Sequence, residues 1–454
     1  MSKKLSIAYV CKNCGLRALK WAGRCANCSE WNSFEEEEVL GRKVAIREDI
    51  ENSPKRVGEV EVSSYERKVT GISEFDRVLG GGIVIGSLTL VGGEPGIGKS
   101  TLLTEVLAKL SERYNDESIL YISGEESIHQ IAQRSNRLGL KGSKYFIYNE
   151  TNWQKILGQI KKLKPSVIVL DSIQTTVSSD VPSSPGSVSQ IREVTYELMN
   201  HVKGSSTTCF VVGHITKEGT IAGPKILEHM VDCVIYFEGD QLGNYRILRS
   251  IKNRFGNTNE VGIFEMKEDG LKEVKNPSQY FLESDCSETF GRSLSCINEG
   301  TRPLFIEVQA LVVENKYGNG RRTTQGIDVN RLAMIVAIIE KYLGIPMGYN
   351  DIYLNIVGGF KVKTQDTDLS IIASLLSSYR NKKIEEGVIF LGEVGLNGEV
   401  RSVSHIEKRI KEMEQLNYKK VITSKKISLE YQRRTKLQLI GLKRINELEK
   451  IVSL

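Results

Sequence analysis

Short apolar runs alternate with amphipathic segments through the central part of the chain, between residues 64 and 275. The runs have the length of strands and lie at 87–91, 118–123, 167–170, 209–212, 231–237 and 247–251. The clearest helical stripe follows the first run and consists of Leu102, Leu103, Val106, Leu107 and Leu110. Because strands that alternate with helices predict a sheet with helices packed on it, we expect an α/β domain over residues 64–275.

A second alternating region occupies residues 276–454. Apolar runs at 304–313, 352–357 and 388–391 indicate strands, and helical spacing at 330–342, 368–379 and 404–414 indicates helices. We expect a separate α/β domain here, in which the apolar helix stripes form ordinary core.

Four cysteines crowd the beginning of the chain. Cys11 and Cys14 form one Cys-x-x-Cys pair, and Cys25 and Cys28 form a second pair after ten intervening residues. Two such pairs supply the four thiolates that tetrahedral Zn²⁺ favours, and so short a segment needs a metal because it cannot bury a sufficient core. We expect a zinc finger over residues 1–34, although spacing alone leaves a redox pair or unligated thiols open. Residues 35–63, which begin with the acidic run 35–38, are expected to be a linker.

The composition is that of a globular chain, since 40% of its 454 residues are hydrophobic and 26% are charged. The formal net charge of +6 permits nucleic acid as a partner without requiring it. No apolar run approaches the roughly 18 residues of a membrane span, so we expect a cytoplasmic protein without a membrane partner. Eight cysteines in a chain of this length do not indicate a disulfide framework.

The most informative motif follows the run at 87–91 and has the form GxxxxGK[ST]. It consists of Gly93, Glu94, Pro95, Gly96, Ile97, Gly98, Lys99 and Ser100, with Thr101 directly after it. A strand before such a loop and a helix after it place backbone N–H groups around a phosphate chain. Lys99 would reach the β and γ phosphates, and the Ser100 hydroxyl would ligate Mg²⁺. The guanine-reading pattern NKxD does not occur, so we expect ATP.

Carboxylates follow two of the predicted strands. Asp171 ends the run at 167–170 and is expected to hold the water shell of Mg²⁺, although an aspartate in this place can also cap a turn. Glu125 and Glu126 follow the run at 118–123, at the edge where open α/β sheets bind ligands. We expect Glu125 to polarise the attacking water, and two solvated surface acids are the alternative.

Two cations lie near the end of the central region. Lys252 and Arg254 follow the run at 247–251 and would point to one face if the strand continued through them. Both cations could then bind one phosphate, most effectively that of a neighbouring subunit. Spacing alone favours a basic turn in water equally.

The segment from Thr70 to Gly82, which runs into the phosphate-binding loop, resembles the entry to the RecA-type ATPase core. Together with the four-cysteine motif, the block from Lys252 to Gly256 and the final region, it closely resembles the RadA (Sms) family of bacterial recombination proteins. The resemblance implies an N-terminal zinc finger, a RecA-like P-loop ATPase domain and a C-terminal domain similar to the peptidase of Lon proteases.

The resemblance also implies a function. Members of this family form homo-hexameric rings that use ATP to move on single-stranded and branched DNA, as branch-migration helicases in recombination and repair of DNA damage. A RecA-type recombinase or a replisome protein is the implied partner. By position, Lys99 and Ser100 are assigned to nucleotide and Mg²⁺, Asp171 to the metal, and Glu125 to water activation. Lys252 and Arg254 are assigned to coupling ATP with DNA.

The similarity of the final region to Lon proteases rests on the segment 392–400, which reads GEVGLNGEV. That peptidase needs a serine nucleophile and a lysine base, and these positions fall at Thr367 and Glu407. Ser370 and Lys408 lie close by, so a shifted alignment is open. We expect a scaffold without proteolysis. An ATP-dependent Lon-type serine protease and an autophosphorylating clock or signalling ATPase are the alternative functions.

Overall fold

A computed structural model describes residues 6–12, 16–18, 20–39, 56–57, 65–214, 226–239, 245–258, 260–274, 289–315, 320–357 and 361–452. The predictions for Cys14 and for most of the linker fall outside these residues. Two compact units divide the chain: Met1–Gly239 with Asn244–Glu273, and Asp240–Gly243 with Val274–Leu454.

The first unit begins with a small antiparallel sheet of order β2-β1-β3. Its strands are β1 (Ser6–Cys11), β2 (Arg17–Ala18) and β3 (Phe34–Val39). The acidic run expected to begin the linker lies in β3, where Glu35 pairs with Val10 and Glu38 with Ile7. The expected linker therefore does not begin at these residues, because backbone pairing with β1 holds them in extended conformation.

A larger sheet follows in the same unit. Over the described residues it has nine strands in the order β14-β13-β12-β11-β6-β10-β9-β7-β8. The strands are β6 (Leu88–Gly93), β7 (Ile119–Ser123), β8 (Phe146–Asn149), β9 (Val167–Asp171), β10 (Thr208–His214), β11 (Cys233–Gly239), β12 (Tyr245–Asn253), β13 (Val261–Lys267) and β14 (Gly270–Glu273). A short pair, β4 (Arg67–Lys68) and β5 (Ile83–Val84), precedes them. Strands β6 to β11 run parallel, and β12 to β14 are added antiparallel.

Helices cover both faces of this sheet. They are α1 (Ser73–Val78), α2 (Lys99–Arg113), α3 (Ile128–Arg137), α4 (Trp153–Leu163), α5 (Val188–Lys203) and α6 (Ile226–Met230). The predicted stripe on α2 is fully buried in the core on one face, which confirms that expectation. A second core on the other face contains residues of α4 and α5, among them Ile156 and Val194.

The parallel order places the carboxyl ends of several strands at one edge of the sheet. Gly93 ends β6, Ser123 ends β7, Asp171 ends β9 and His214 ends β10. Ligands of open α/β sheets bind at this edge.

The second unit is a seven-stranded mixed sheet of order β17-β18-β16-β15-β19-β22-β23 over the described residues. The strands are β15 (Arg292–Glu299), β16 (Arg302–Glu314), β17 (Arg322–Gln325), β18 (Asn350–Ile356), β19 (Val388–Leu391), β22 (Lys420–Ser424) and β23 (Gln438–Leu442), and the pair β20 (Glu393–Val394) and β21 (Val400–Arg401) stands apart. The helices are α7 (Val329–Leu343), α8 (Asp368–Arg380), α9 (Ile406–Gln415), α10 (Lys425–Tyr431) and α11 (Asn446–Val452), with 3₁₀ turns at Met347–Tyr349, Gln365–Thr367 and Gln432–Arg434.

Helix α8 is the central helix of this unit. Most of its residues are buried, including serines that bond to the strands beneath it. The Ser374 hydroxyl donates to the Val308 carbonyl at 2.9 Å, which satisfies a polar group that burial would otherwise penalise.

No helix within the described ranges combines the length and the apolar composition that crossing a bilayer requires.

Candidate nucleotide site and zinc centre

The loop between β6 and α2 has the backbone that a phosphate cradle needs. Gly96 and Gly98 adopt φ of 77° and 114°, in the left-handed region that glycine tolerates at little cost. A Cβ at Gly98 would lie 2.9 Å from the Met266 Cε atom, so a side chain there would also require the end of Met266 to move. Helix α2 begins directly after Gly98, and its first N–H groups face the loop.

Lys99, the first residue of α2, is almost completely buried. Its amine donates to the carbonyl oxygens of Gly93 at 2.8 Å and Glu94 at 2.9 Å, and lies 3.4 Å from His214 Nδ1. Burial lowers the pKa of the Lys99 amine, while the nearby carboxylates of Asp171 and Glu125 oppose that shift. The Lys99 amine therefore lies inside the loop whose bound phosphates it would contact.

Ser100 and Asp171 meet although 71 positions separate them in sequence. The Ser100 hydroxyl donates to Asp171 Oδ2 at 2.6 Å. Asp171 ends β9, one strand away from β10 and two from β6, so the strand order brings the two groups together. A serine hydroxyl beside a buried carboxylate is the donor set that Mg²⁺ prefers at a triphosphate site.

The two carboxylates after β7 have different surroundings. Glu125 Oε1 accepts from the Ser172 hydroxyl at 2.5 Å and lies 3.1 Å from His214 Nε2. Partial burial opposes ionisation of Glu125, but the hydrogen bonds from Ser172 and His214 outweigh it and lower the pKa of the carboxyl. Glu126 instead accepts two hydrogen bonds from Arg134, at 2.5 and 2.8 Å.

A cavity of about 650 Å³ opens above these groups. It is lined by Pro95, Gly96, Gly98, Lys99, Ser100, Thr101, Ser123, Glu125, Glu126, Gln130, Gln133, Arg134, Arg137, Asp171 and His214. The loop residues that do not line the cavity contribute backbone carbonyls as hydrogen-bond acceptors. Those of Gly93 and Glu94 accept from the Lys99 amine, and that of Ile97 accepts from Arg246 at 3.0 Å.

Lys252 and Arg254 do not line this cavity. Strand β12 ends at Asn253, so the condition of a continuous strand fails and Arg254 lies in the following turn. Both cations nevertheless approach one segment. The Lys252 amine donates to the carbonyls of Glu228 and Val231 at 2.7 and 2.8 Å, and Arg254 lies 3.2 Å from Asp232. Burial and the neighbouring Arg254 lower the pKa of Lys252.

Sequence reasoning did not identify Tyr121 and Arg134 as members of the site. Tyr121 lies in the middle of an apolar run and resembles core, and Arg134 lies on an amphipathic helix. Only the fold shows that the Tyr121 hydroxyl donates to Asp171 Oδ2 at 2.6 Å. A polar atom inside an apolar strand was the one signal available, since a buried hydroxyl needs a partner.

Three of the four predicted zinc ligands lie close together in the N-terminal segment. The sulfurs of Cys11, Cys25 and Cys28 lie within 4.8 Å of one another, and those of Cys11 and Cys28 are 3.6 Å apart. Zn–S bonds of about 2.3 Å in a tetrahedron place sulfurs roughly 3.8 Å apart, so the cluster fits Zn²⁺. Cys14 lies outside the described residues.

Two further cysteines lie in strands of the larger sheet. Cys209 in β10 and Cys233 in β11 are buried. Burial raises the pKa of the Cys233 thiol to about 12. Both thiols are therefore packing groups of the core.

Comparisons with known proteins follow the same division of the chain. The rubredoxin metal binding domain matches residues 9–36, the KaiC ATPase family matches residues 69–152, and subunit ChlI of Mg-chelatase matches residues 330–427. The DNA repair protein RadA of Bacillus subtilis is 47% identical over 425 residues, which cover 92% of each chain. That of Listeria monocytogenes is 44% identical over 447 residues, or 98% of this chain and 97% of the relative. The chain belongs to the RadA family.

A solved KaiC-like protein of Pyrococcus horikoshii is also similar, with a TM-score of 0.40 and 22% identity over 46% of this chain and 99% of that one. A structural similarity with this TM-score and identity does not bear on the family of this chain. Membership of the RadA family and the matches to metal-binding and KaiC models show that the first unit contains a zinc ribbon followed by a RecA-like P-loop ATPase. ATP with Mg²⁺, and Zn²⁺, are its cofactors.

In the Lon-like region of this RadA family member, both candidate nucleophiles, Ser370 and Thr367, lie in the core. Ser370 is fully buried, with its hydroxyl 2.6 Å from that of Ser293. Thr367 is also fully buried, and its neighbours Asp366 and Asp368 pair with Arg409 and Arg331.

The alignment that placed the lysine position at Glu407 is not supported by this geometry. Glu407 is exposed and its carboxylate accepts from Tyr431, whereas the fully buried Arg409, two positions later, contacts Asp366 beside Thr367. An arginine cannot be deprotonated in a protein, so Arg409 cannot act as the base of a peptidase.

Proposed function

We propose that the chain is a DNA-dependent ATPase that forms a homo-hexameric ring and moves on single-stranded and branched DNA, as a branch-migration helicase in recombination and repair. The observation that carries the proposal is the grouping of Lys99, Ser100, Asp171 and Glu125 around one cavity. This grouping occurs in a chain that aligns along nearly its whole length with proteins named for DNA repair.

The roles proposed for the site residues follow from their positions. Lys99 and the N–H groups of the loop would bind the phosphates, and Ser100 with Asp171 would hold Mg²⁺, which neutralises charge on the phosphate oxygens when bound. Glu125 would accept the proton of the attacking water, since its carboxylate lines the cavity and is ionised at neutral pH. Glu126 is less suited to that task since Arg134 occupies both of its oxygens.

His214 offers a link between this chemistry and DNA. Its two ring nitrogens lie 3.4 Å from the Lys99 amine and 3.1 Å from Glu125 Oε1. The chain continues from His214 into a segment whose sequence includes Lys217 and Lys225, cations suited to phosphate contacts. A DNA strand bound by that segment would therefore act on the residue that contacts Glu125.

Lys252 and Arg254 are proposed to serve the nucleotide of a neighbouring protomer. They lie outside the cavity of their own chain, and both contact the segment 228–232. Cations supplied across an interface stabilise the transition state of phosphoryl transfer and couple it to assembly. The zinc ribbon is proposed either to dock a protein partner, a RecA-type recombinase or a replisome component, or to gate the release of DNA.

The test is the rate of ATP hydrolysis with and without single-stranded DNA, on the intact chain and on the Lys99→Ala and Lys252→Ala variants. Lys99→Ala should abolish hydrolysis, and Lys252→Ala should retain the basal rate but lose stimulation by DNA. Light scattering and electron microscopy with ATP should show six-membered rings. A rate that ignores single-stranded DNA in the intact chain would refute the motor.

A further inference from the structure

A chain of hydrogen bonds leads from Asp171 back into the sheet. Asp171 Oδ2 accepts from the Tyr121 hydroxyl at 2.6 Å as well as from the Ser100 hydroxyl at 2.6 Å. Tyr121 is fully buried in β7, and its hydroxyl oxygen accepts from Arg134 Nη2 at 3.2 Å. Arg134 in turn donates twice to Glu126.

The direction of this chain is fixed by chemistry. A guanidinium only donates and an ionised carboxylate only accepts, whereas a phenol has one proton and can also accept. Because Arg134 donates to the Tyr121 oxygen, the single Tyr121 proton is directed towards Asp171.

Besides Tyr121, the Arg134 guanidinium contacts two further side chains. Its Nη1 donates to Glu126, and its Nε donates to Thr104 Oγ1 at 3.3 Å on α2. The Thr104 hydroxyl donates to the Ser100 carbonyl at 2.6 Å, which ties the guanidinium to the turn of helix that carries the metal-binding serine. Arg134 therefore connects both elements that would hold Mg²⁺.

Binding of Mg²⁺ would affect the two hydroxyls that donate to Asp171 differently. A serine hydroxyl that ligates Mg²⁺ must direct a lone pair at the ion, so Ser100 has to change its present hydrogen bond. Tyr121 is buried beneath Asp171 and has no such task. It is the donor that can keep the carboxylate in place in both states.

We propose that Tyr121 is a positioning residue that holds Asp171 in the orientation needed for Mg²⁺, and that Arg134 acts through Tyr121 by directing its proton. The inference rests on the proposed role of Asp171 in metal binding. Groups that orient a metal ligand typically change metal affinity about 10-fold to 100-fold when removed.

The test measures binding, without turnover. A fluorescent ADP analogue is titrated with the full-length chain in EDTA and at increasing Mg²⁺, which gives the Mg²⁺ concentration for half of the metal-dependent gain in affinity. Tyr121→Phe removes only the hydroxyl and should raise this concentration about tenfold, with affinity in EDTA unchanged. Arg134→Lys should raise it less, and the double variant should match Tyr121→Phe because both act on one bond.

Tyr145→Phe is the matched control. Tyr145 is a partly buried tyrosine of the same unit whose hydroxyl lies 2.7 Å from that of Ser135 and does not contact Asp171. This variant should leave the Mg²⁺ dependence unchanged. Thermal melting of each unliganded variant shows whether it is folded, and if Tyr121→Phe does not fold, Arg134→Lys decides the question.

Asp171→Asn separates the inference from the proposed function. If this variant shifts the Mg²⁺ dependence and Tyr121→Phe stays within twofold of the parent chain, the positioning role is overturned while the metal site stands. If Asp171→Asn produces no shift, the metal assignment itself fails. A loss of affinity in EDTA for Arg134→Lys would mean that Arg134 binds the nucleotide directly, which overturns its role through Tyr121.

Discussion

The substitution Glu125→Gln tests the proposed chemistry at a single atom. The amide has nearly the shape of the carboxylate, and its oxygen can still accept from Ser172 and His214, whose bonds to Glu125 are 2.5 and 3.1 Å long. What the variant loses is the ability to take a proton from water. General-base catalysis contributes about 10²-fold to 10⁴-fold in rate. At about 1.36 kcal/mol per tenfold, this raises the barrier by roughly 2.7 to 5.4 kcal/mol.

The assay is steady-state ATP hydrolysis in the presence of single-stranded DNA, together with equilibrium binding of a fluorescent nucleotide. The turnover number should fall by the stated factor, while nucleotide affinity stays within about threefold, since a group needed only in the transition state contributes little to binding. Glu126→Gln is the matched control, and it should cost less than about tenfold because Arg134 already neutralises that carboxylate. A larger loss in Glu126→Gln than in Glu125→Gln would refute the assignment.

The pH dependence of the activity provides a second test of the role of Glu125. Because the pKa of Glu125 is lowered, its carboxylate remains ionised throughout the neutral range and gains a proton only below the usual value of about 4.3. Activity that depends on this base is therefore present above that pH and is lost as the pH falls through the lowered pKa. A fall in kcat/KM with decreasing pH that is centred at about pH 6 and is absent in Glu125→Gln would contradict the lowered pKa of Glu125.

Three further outcomes are expected. Lys252→Ala should keep basal hydrolysis but lose at least about tenfold of the stimulation by DNA, whereas Lys272→Ala, an exposed lysine of the same unit, should lose neither. Metal analysis under reducing conditions should find about one zinc per chain, lost in Cys25→Ser, and a metal-free parent chain would defeat the zinc ribbon. Arg409→Met leaves Asp366 without its partner and should destabilise the second unit by about 3 to 5 kcal/mol, a fall in melting temperature of roughly 6 to 20 °C. Lys411→Met, on the exposed face of the same helix, should melt unchanged.

Local patterns predicted much of the fold. The apolar runs in the central region coincide with β6, β7, β9, β10, β11 and β12, and the stripe after the phosphate-binding loop forms the buried face of α2. These elements are readable because periodicity and turn chemistry are properties of neighbouring residues. The acidic strand β3 was missed for the complementary reason. Four consecutive glutamates have no apolar alternation, and only pairing with β1 makes them a strand.

Contacts between distant positions were not readable in the same way. The alignment that used Glu407 as the peptidase lysine position followed local sequence, yet the folded unit buries Arg409 against Asp366, 43 positions away. Lys252 and Arg254 would share a strand face only if the strand continued through them, but β12 ends at Asn253 and they meet through separate contacts to the segment 228–232.

The sequence by itself determined that this chain has a phosphate-binding loop, a strand-end aspartate and clustered thiols, because each of these depends on residues that are adjacent or nearly so. The tertiary structure decided how they cooperate. The strand order brings Ser100 to Asp171 and places Tyr121 and Arg134 behind that carboxylate. It also gives Glu125 and Glu126 different partners although they are neighbours in sequence. Hydrogen bonds and electrostatic fields act through space, so residues far apart in the chain set the chemistry of each group.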